Sequence, residues 1–192
     1  MNEPQRQALS HLSHEDYFAL EQAEDQRYEY LAGDIFAMTG GTERHALISM
    51  NVGASLFNAF RDKPCRVYGP DMKLHITAHD KFCYPDAMVL CQEGRRLERY
   101  VENPLLIVEV LSESTESYDR GLKFEHYRSI EGLQYFLLLS QDRPHAELYQ
   151  RQGANLWTFQ EVNGEEHLIL EDGDIVLSLA ELYRNVEFPP GD

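Results

Sequence analysis

Leu105-Leu106-Ile107-Val108-Glu109-Val110-Leu111 is an apolar run broken by a single carboxylate. It is too short for a buried helix and rich in branched side chains, so it reads as a strand covered on both faces. An ionised carboxylate left alone there costs roughly several kcal/mol. Glu109 is therefore expected to be protonated, ion-paired or holding a cation. Asp86 lies upstream in a second strand-like segment, Cys83-Tyr84-Pro85-Asp86-Ala87-Met88-Val89-Leu90, and is the candidate co-ligand.

The chain of 192 residues suits one domain, able to bury roughly 70% of its unfolded surface around one core. Its longest apolar runs, Leu105 to Leu111 and Tyr135 to Leu139, fall far short of the ~20 residues that span a bilayer. Met1 to Ser10 lacks the apolar centre of a signal peptide, so no membrane partner and a cytoplasmic location are expected. Cys65, Cys83 and Cys91 are odd in number and lack paired metal-binding spacing, which predicts reduced thiols.

The net charge of −16 opposes binding to nucleic acid, because Lys and Arg must displace the counterions condensed on phosphates. The charge is unevenly spread. Residues 1–29 carry seven acidic and two basic groups and residues 161–192 carry nine and one, so the middle is nearly balanced. That middle holds three basic groups: Arg61, Lys63 and Arg66; Arg95, Arg96 and Arg99; Arg120, Lys123 and Arg128. Each is either a phosphate contact or ordinary solvated charge.

Ser13 is placed to cap a helix over about 14–23. Tyr28 to Leu31 and Ile35 to Met38 flank Ala32-Gly33-Asp34 as a hairpin. Thr42 is placed to cap a second helix, with Ile48, Val52, Leu56 and Phe60 recurring every four residues and an end near Arg61. Asp71 to Thr77 and Phe82 to Cys91 read as paired strands. After the buried strand comes a helix capped by Ser114 or Thr115, with Leu122, Tyr127 and Ile130 facing inward. The strand Gln134 to Ser140 then completes a parallel crossover. From His145 onward four strand segments and a short helix around 180–183 form an antiparallel meander.

On these strands Ile107, Glu109 and Leu111 share one side, as do Asp86, Met88 and Leu90. If the strands are neighbours, the two carboxylates converge, and Mg²⁺ is the natural occupant because it takes oxygen ligands beside retained water. Such an ion polarises a phosphoryl oxygen and helps ionise a bound water. Lys123 could orient that water and stabilise developing negative charge. Other readings remain open. Glu109 could pair structurally with Lys123, Lys123 could form an exposed helical pair with Asp119 four residues earlier, and Asp71 could face the site or pair with Lys73 or Arg66.

Pro85-Asp86, then Glu109 in an apolar strand, then a helical Lys resembles the PD-(D/E)XK nuclease superfamily. The closer resemblance is to the Uma2 family of restriction endonucleases. It is carried by Tyr28-Glu29-Tyr30-Leu31-x-Gly33-Asp34, Gly40-Gly41-x-x-x-His45, Tyr84-Pro85-Asp86, Asn103-Pro104-Leu105-x-Ile107-Val108-Glu109-Val110-Leu111-Ser112-x-Ser114-Thr115 and Asp119-Arg120-Gly121-x-Lys123-x-x-x-Tyr127.

That resemblance implies a restriction-endonuclease-like α/β core: a mixed central sheet flanked by helices, with an N-terminal hairpin and a C-terminal antiparallel meander. It implies a metal held by Asp86, Glu109 and the carbonyl oxygen of Val110, with Asp86, Glu109 and Lys123 catalytic. Leu111 stands where the superfamily places its Lys, and Lys123 is the matching residue on the following helix. Glu29 and His45 become additional site candidates, His45 otherwise being a polar residue of the first helical turn. The implied activity is Mg²⁺-dependent hydrolysis of DNA, with Mn²⁺ as substitute and a homodimer to cut both strands. A catalytically silent binding or assembly module, and a hydrolase of a small phosphorylated molecule, are the alternatives.

Overall fold

Local signals set the first elements of the computed structural model, which describes residues 11–38, 40–112, 119–164, 166–170 and 174–188. Ser13 Oγ accepts from the Asp16 amide at 3.2 Å while Asp16 Oδ2 accepts from the Ser13 amide at 3.3 Å. This reciprocal cap starts α1 (His14–Glu24). Strands β1 (Tyr28–Leu31) and β2 (Asp34–Ala37) form the expected hairpin. Its turn places Ala32 and Gly33 at φ 47° and 97°, where Gly33 has no Cβ to clash. Helix α2 (Glu43–Ala59) begins under Thr42, whose Oγ1 accepts from the His45 amide at 3.1 Å, and buries Ile48, Val52 and Leu56 along one stripe.

The strands that follow are β3 (Arg66–Tyr68), β4 (Lys73–Ile76), β5 (Lys81–Cys83), β6 (Ala87–Leu90), β7 (Arg95–Arg96), β8 (Tyr100–Glu102) and β9 (Leu106–Val110). A π-helical turn over Asp119–Lys123 runs into α3 (Phe124–Tyr127). Then come β10 (Tyr135–Leu139), β11 (His145–Gly153), β12 (Leu156–Asn163), β13 (His167–Leu170), β14 (Ile175–Ser178) and α4 (Leu179–Leu182). They form two six-stranded sheets, in orders β2-β1-β5-β4-β8-β7 and β12-β11-β10-β9-β6-β3, and a separate β13-β14 pair. Both large sheets are mixed: β9 runs parallel to β10, and β4 parallel to β8.

Strand β9 lies inside its sheet, between β10 and β6, and this explains its apolar composition. Leu106, Val108 and Val110 pack with α2, α4 and the β13-β14 pair, whereas Ile107 and Leu111 pack toward Leu74, Ile76 and Cys83 of the other sheet. The far side of that other sheet, with Tyr28, Tyr30 and Phe82, is covered by Tyr17 of α1. Alternating strand faces thus give a helix, sheet, sheet, helix layering.

The segment 82–91 does not form one strand returning on 71–77. It breaks at Tyr84-Pro85-Asp86, where Pro85 has no amide for a ladder. β5 pairs with β4 in one sheet, while β6 pairs with β3 and β9 in the other. Leu122 is 43% exposed rather than inward-facing, because the π-helical turn shifts the helical phase ahead of Tyr127 and Ile130, which are buried. The expected caps Ser114 and Thr115 lie outside the described residues.

The expectation of reduced thiols is also corrected: Cys65 and Cys91 are joined by a disulfide, and Cys83 is a free, buried thiol. The β3-β6 register pairs Arg66 with Leu90, and its continuation brings these two cysteines face to face. Among the described residues no helix is long and apolar enough to cross a membrane.

Candidate active site

Register builds the site first. The antiparallel β6-β9 ladder sets Ala87 against Val108, so its next step brings Asp86 opposite Glu109. Asp86 is fixed there by the backbone of β9: its Oδ2 accepts from the Val110 amide at 2.7 Å. Its other oxygen, Oδ1, lies 3.3 Å from His45 Nε2 and accepts from Ser49 Oγ at 3.5 Å. One helical turn of α2 therefore reaches the end of β6. The hydrogen bond that His45 donates to Asp86 holds the His45 proton affinity above its ordinary value.

Glu109 projects from the face of β9 that meets the other sheet, where it is 3% exposed. Lys123 Nζ lies 3.0 Å from its Oε2, and the Tyr127 hydroxyl donates to its Oε1 at 2.5 Å. Lys123 also lies 3.1 Å from Asp119 Oδ1, without hydrogen-bond alignment, and Asp119 is itself buried. The Asp119 and Lys123 pair expected on an exposed helical face is thus an interior one. Burial, with the neighbouring Asp119 and Asp86 carboxylates, pushes Glu109 up to about 8 against the pull of Lys123. Lys123 is held protonated by Glu109, Asp119 and Glu29, which outweigh its own burial.

The opposite sheet contributes through its two-residue period. Tyr28 and Tyr30 face α1, so Glu29 between them faces the seam, and Lys81 next to Phe82 does likewise. Lys81 Nζ lies 3.3 Å from Glu29 Oε2, and both are buried. Lys81 and Lys123 draw the Glu29 carboxyl below its usual range despite desolvation, the largest influence on it, which acts the other way.

Asp86, Glu109, Lys123, Glu29 and His45 are therefore one connected neighbourhood. Asp71 is not part of it: its side chain is exposed and pairs with Arg27 at 2.9 Å. Sequence reasoning missed Lys81 and treated Tyr127 as packing. The signal for Lys81 was a charge directly before Phe82-Cys83, legible only once the strand faces are known.

Glu29, Asp86, Glu109 and Asp119 set four carboxylates against the ammonium groups of Lys81 and Lys123, all buried. With all four ionised the set stays negative even when His45 is protonated, and without a cation Glu109 relieves that excess by keeping its proton up to about 8. Each ionised carboxylate offers about four lone-pair sites, so the bonds described for Asp86 and Glu109 leave room for a hard cation on both. An all-oxygen, negatively charged donor set fits Mg²⁺. Among the described residues, two further groups of potential metal-ligating side chains converge: His14, His75 and Asp80, and His145, Glu147 and Glu161.

A family profile described as "Uma2: Putative restriction endonuclease" matches residues 14–180. An uncharacterized protein of Synechocystis sp. is 32% identical over 178 residues, covering 92% of this chain and 94% of the relative. A second from the same organism is 32% identical over 153 residues, covering 78% and 86%. The crystal structure of a "putative nuclease belonging to DUF820" from Anabaena variabilis matches with a TM-score of 0.66 at 16% identity, over 83% of this chain and 90% of that one. At that identity the likeness speaks for the fold.

Proposed function

The chain belongs to the Uma2 family, described as restriction endonucleases, and from that premise we propose that it hydrolyses DNA phosphodiester bonds as a single-domain, Mg²⁺-dependent endonuclease. The observation that carries this reading is the buried excess of carboxylates between the two sheets, at Asp86 and Glu109. Buried like charges are costly unless they bind a cation.

In this reading Asp86, Glu109 and the carbonyl oxygen of Val110 hold the ion, with Mn²⁺ as a working substitute. When bound, Mg²⁺ supplies Lewis acidity toward a phosphoryl oxygen and lowers the pKa of a water. Lys123 is the catalytic cation: clamped by Glu109 and Asp119, its ammonium stabilises negative charge developing on the phosphate and orients the attacking water. Tyr127 fixes the rotamer of Glu109 through its hydroxyl. The Val110 amide, with His45 and Ser49, does the same for Asp86. A two-fold pair of chains would place two such sites on opposite strands of a duplex.

One observation favours a second reading, a silent scaffold for binding or assembly: both oxygens of Glu109 already have protein partners. Another favours a small phosphorylated substrate. In each of the three basic groups one cation is paired, Lys63 with Asp174, Arg95 with Glu102 and Arg120 with Glu147, which lowers the positive charge these groups offer a duplex.

The deciding experiment pairs thermal melting in Mg²⁺, Mn²⁺ and chelator with cleavage of supercoiled plasmid. The nuclease reading expects cation-dependent stabilisation and nicking, both lost in D86N and E109Q while the circular dichroism spectrum is kept. Full cleavage by either variant rules it out. Stabilisation without nicking turns the search to small phosphate esters, and no cation effect at all leaves the scaffold.

A further inference from the structure

The orphaned atom of a second histidine points to chemistry elsewhere. His75, on β4, gives its Nδ1 to Glu102 Oε1 at 2.8 Å, and its side chain is about 10% exposed. Its other ring nitrogen, Nε2, is buried and has no hydrogen-bond partner. Glu102 accepts from the ring N–H at Nδ1, and in that neutral tautomer Nε2 carries a lone pair with nothing to accept from. Glu102 is in turn held by Arg95 at 3.0 Å and approached by Thr77 Oγ1 at 3.4 Å. A carboxylate fixing one nitrogen of a histidine so that the other can ligate is the arrangement found behind protein-bound zinc.

Two more ligand types meet that ring. His14, the first residue of α1, and Asp80, just after β4, each bring a ligand atom that lies within 4.8 Å of those of the other two residues. His14 Nε2 is already 2.6 Å from Asp80 Oδ1. The rings of His14 and His75 pack edge to face at 5.8 Å, and Phe82 walls the pair, stacked on His75 at 4.3 Å and edge-on to His14 at 4.9 Å. An aromatic wall excludes water and strengthens any charge-based contact inside it.

We propose that His14, His75 and Asp80 form a binding site for a first-row transition metal, foremost Zn²⁺, oriented by Glu102 and distinct from the Asp86 and Glu109 site. The nitrogen-rich set selects against Mg²⁺, which prefers oxygen alone, and suits Zn²⁺ with one tetrahedral position left to water. The His14 to Asp80 hydrogen bond gives way to two metal bonds on loading. The ion would tie α1 to β4 and the β4-β5 connection, in the interior of the sheet it covers. The His145, Glu147 and Glu161 group has no comparable free atom: His145 is engaged by Asn163 and Glu147, and Glu147 by Arg120.

The test uses the full chain carrying D86N and E109Q, so that the first site cannot contribute, stripped of metal and titrated calorimetrically with ZnCl₂. Co²⁺ is titrated in parallel, and its visible absorption reports nitrogen ligation. One equivalent of each ion should bind, with a Co²⁺ band. Adding H14N and D80N, at half-exposed positions, should abolish both, whereas H145N should leave them unchanged. E102Q should weaken Zn²⁺ binding at least tenfold. No Zn²⁺ binding by the starting protein, binding that survives H14N with D80N, or loss caused by H145N instead overturns the site. Unchanged affinity in E102Q overturns the positioning role of Glu102.

Discussion

Glu109 holds its proton to about pH 8 because burial outweighs the attraction of Lys123. In an unfolded chain the same group titrates near about 4.3. Between those values the folded protein binds a proton that the unfolded chain does not, so this group's contribution to stability is full below the lower value and is lost as pH rises toward the upper. The metal-free melting temperature should therefore fall from pH 5.5 to 8.5 more steeply in the wild type than in E109Q. Parallel profiles would contradict the buried titration. A bound Mg²⁺ demands the ionised form, so stabilisation by the ion should grow over the same interval. Proton release on binding, measured calorimetrically in buffers of different ionisation enthalpy, should accompany it. Glu109 was legible in the sequence because one charge in an apolar strand has few ways to survive. Asp86 was legible because register follows from alternation. Lys81 and Glu29 were not legible as a pair, since their strands belong to a second sheet whose facing toward the first no local pattern encodes.

At the scale of elements, the piece that sets Lys123 is short: a π-helical turn and the single turn of α3. So little helix cannot hold itself. Arg151, on β11, supplies what it lacks, donating to the carbonyls of Leu133 at 2.7 Å, Arg128 at 2.8 Å and Ile130 at 2.9 Å while its guanidinium lies 4.5 Å from the Trp157 ring centroid. R151A should cost about 2 kcal/mol, or roughly 4–8 °C in melting temperature for a chain of this size. R151K should not restore it, because an ammonium cannot serve three carbonyls from one plane. Recovery by Lys would show that charge alone suffices. The Cys65 to Cys91 link is a second elemental tie, and loop closure over its 26-residue separation gives it an upper contribution of about 3.5 kcal/mol. Alkylation under denaturing, non-reducing conditions should tag one thiol, Cys83, and three after reduction. Three tags without reduction would mean that the bridge is not formed. Spacing alone could not reveal this bond, because it exists only through the antiparallel meeting of β3 and β6.

For the whole molecule, a net charge of −16 makes a polyanionic substrate an uphill partner unless cations intervene. If Asp86 and Glu109 hold Mg²⁺ as proposed, DNA binding should be weak in chelator and strengthened by Ca²⁺, a hard cation that takes oxygen ligands with looser geometry than Mg²⁺. Fluorescence anisotropy of a labelled duplex with each ion checks this, and tight binding in chelator would place the contact elsewhere. The order of secondary elements was largely readable because amphipathic stripes and caps are local. Their sorting into two sheets was not, since it turns on a break at Pro85 that sends adjoining segments to different partners. The division of charged groups between those sheets has a mechanical outcome. A cation at that boundary would act as a rivet between two plates, so its removal should let both plates breathe together. Amide exchange should then quicken in β1 and β5 as much as in β6 and β9, although the Asp86 and Glu109 carboxylates belong to the latter pair alone.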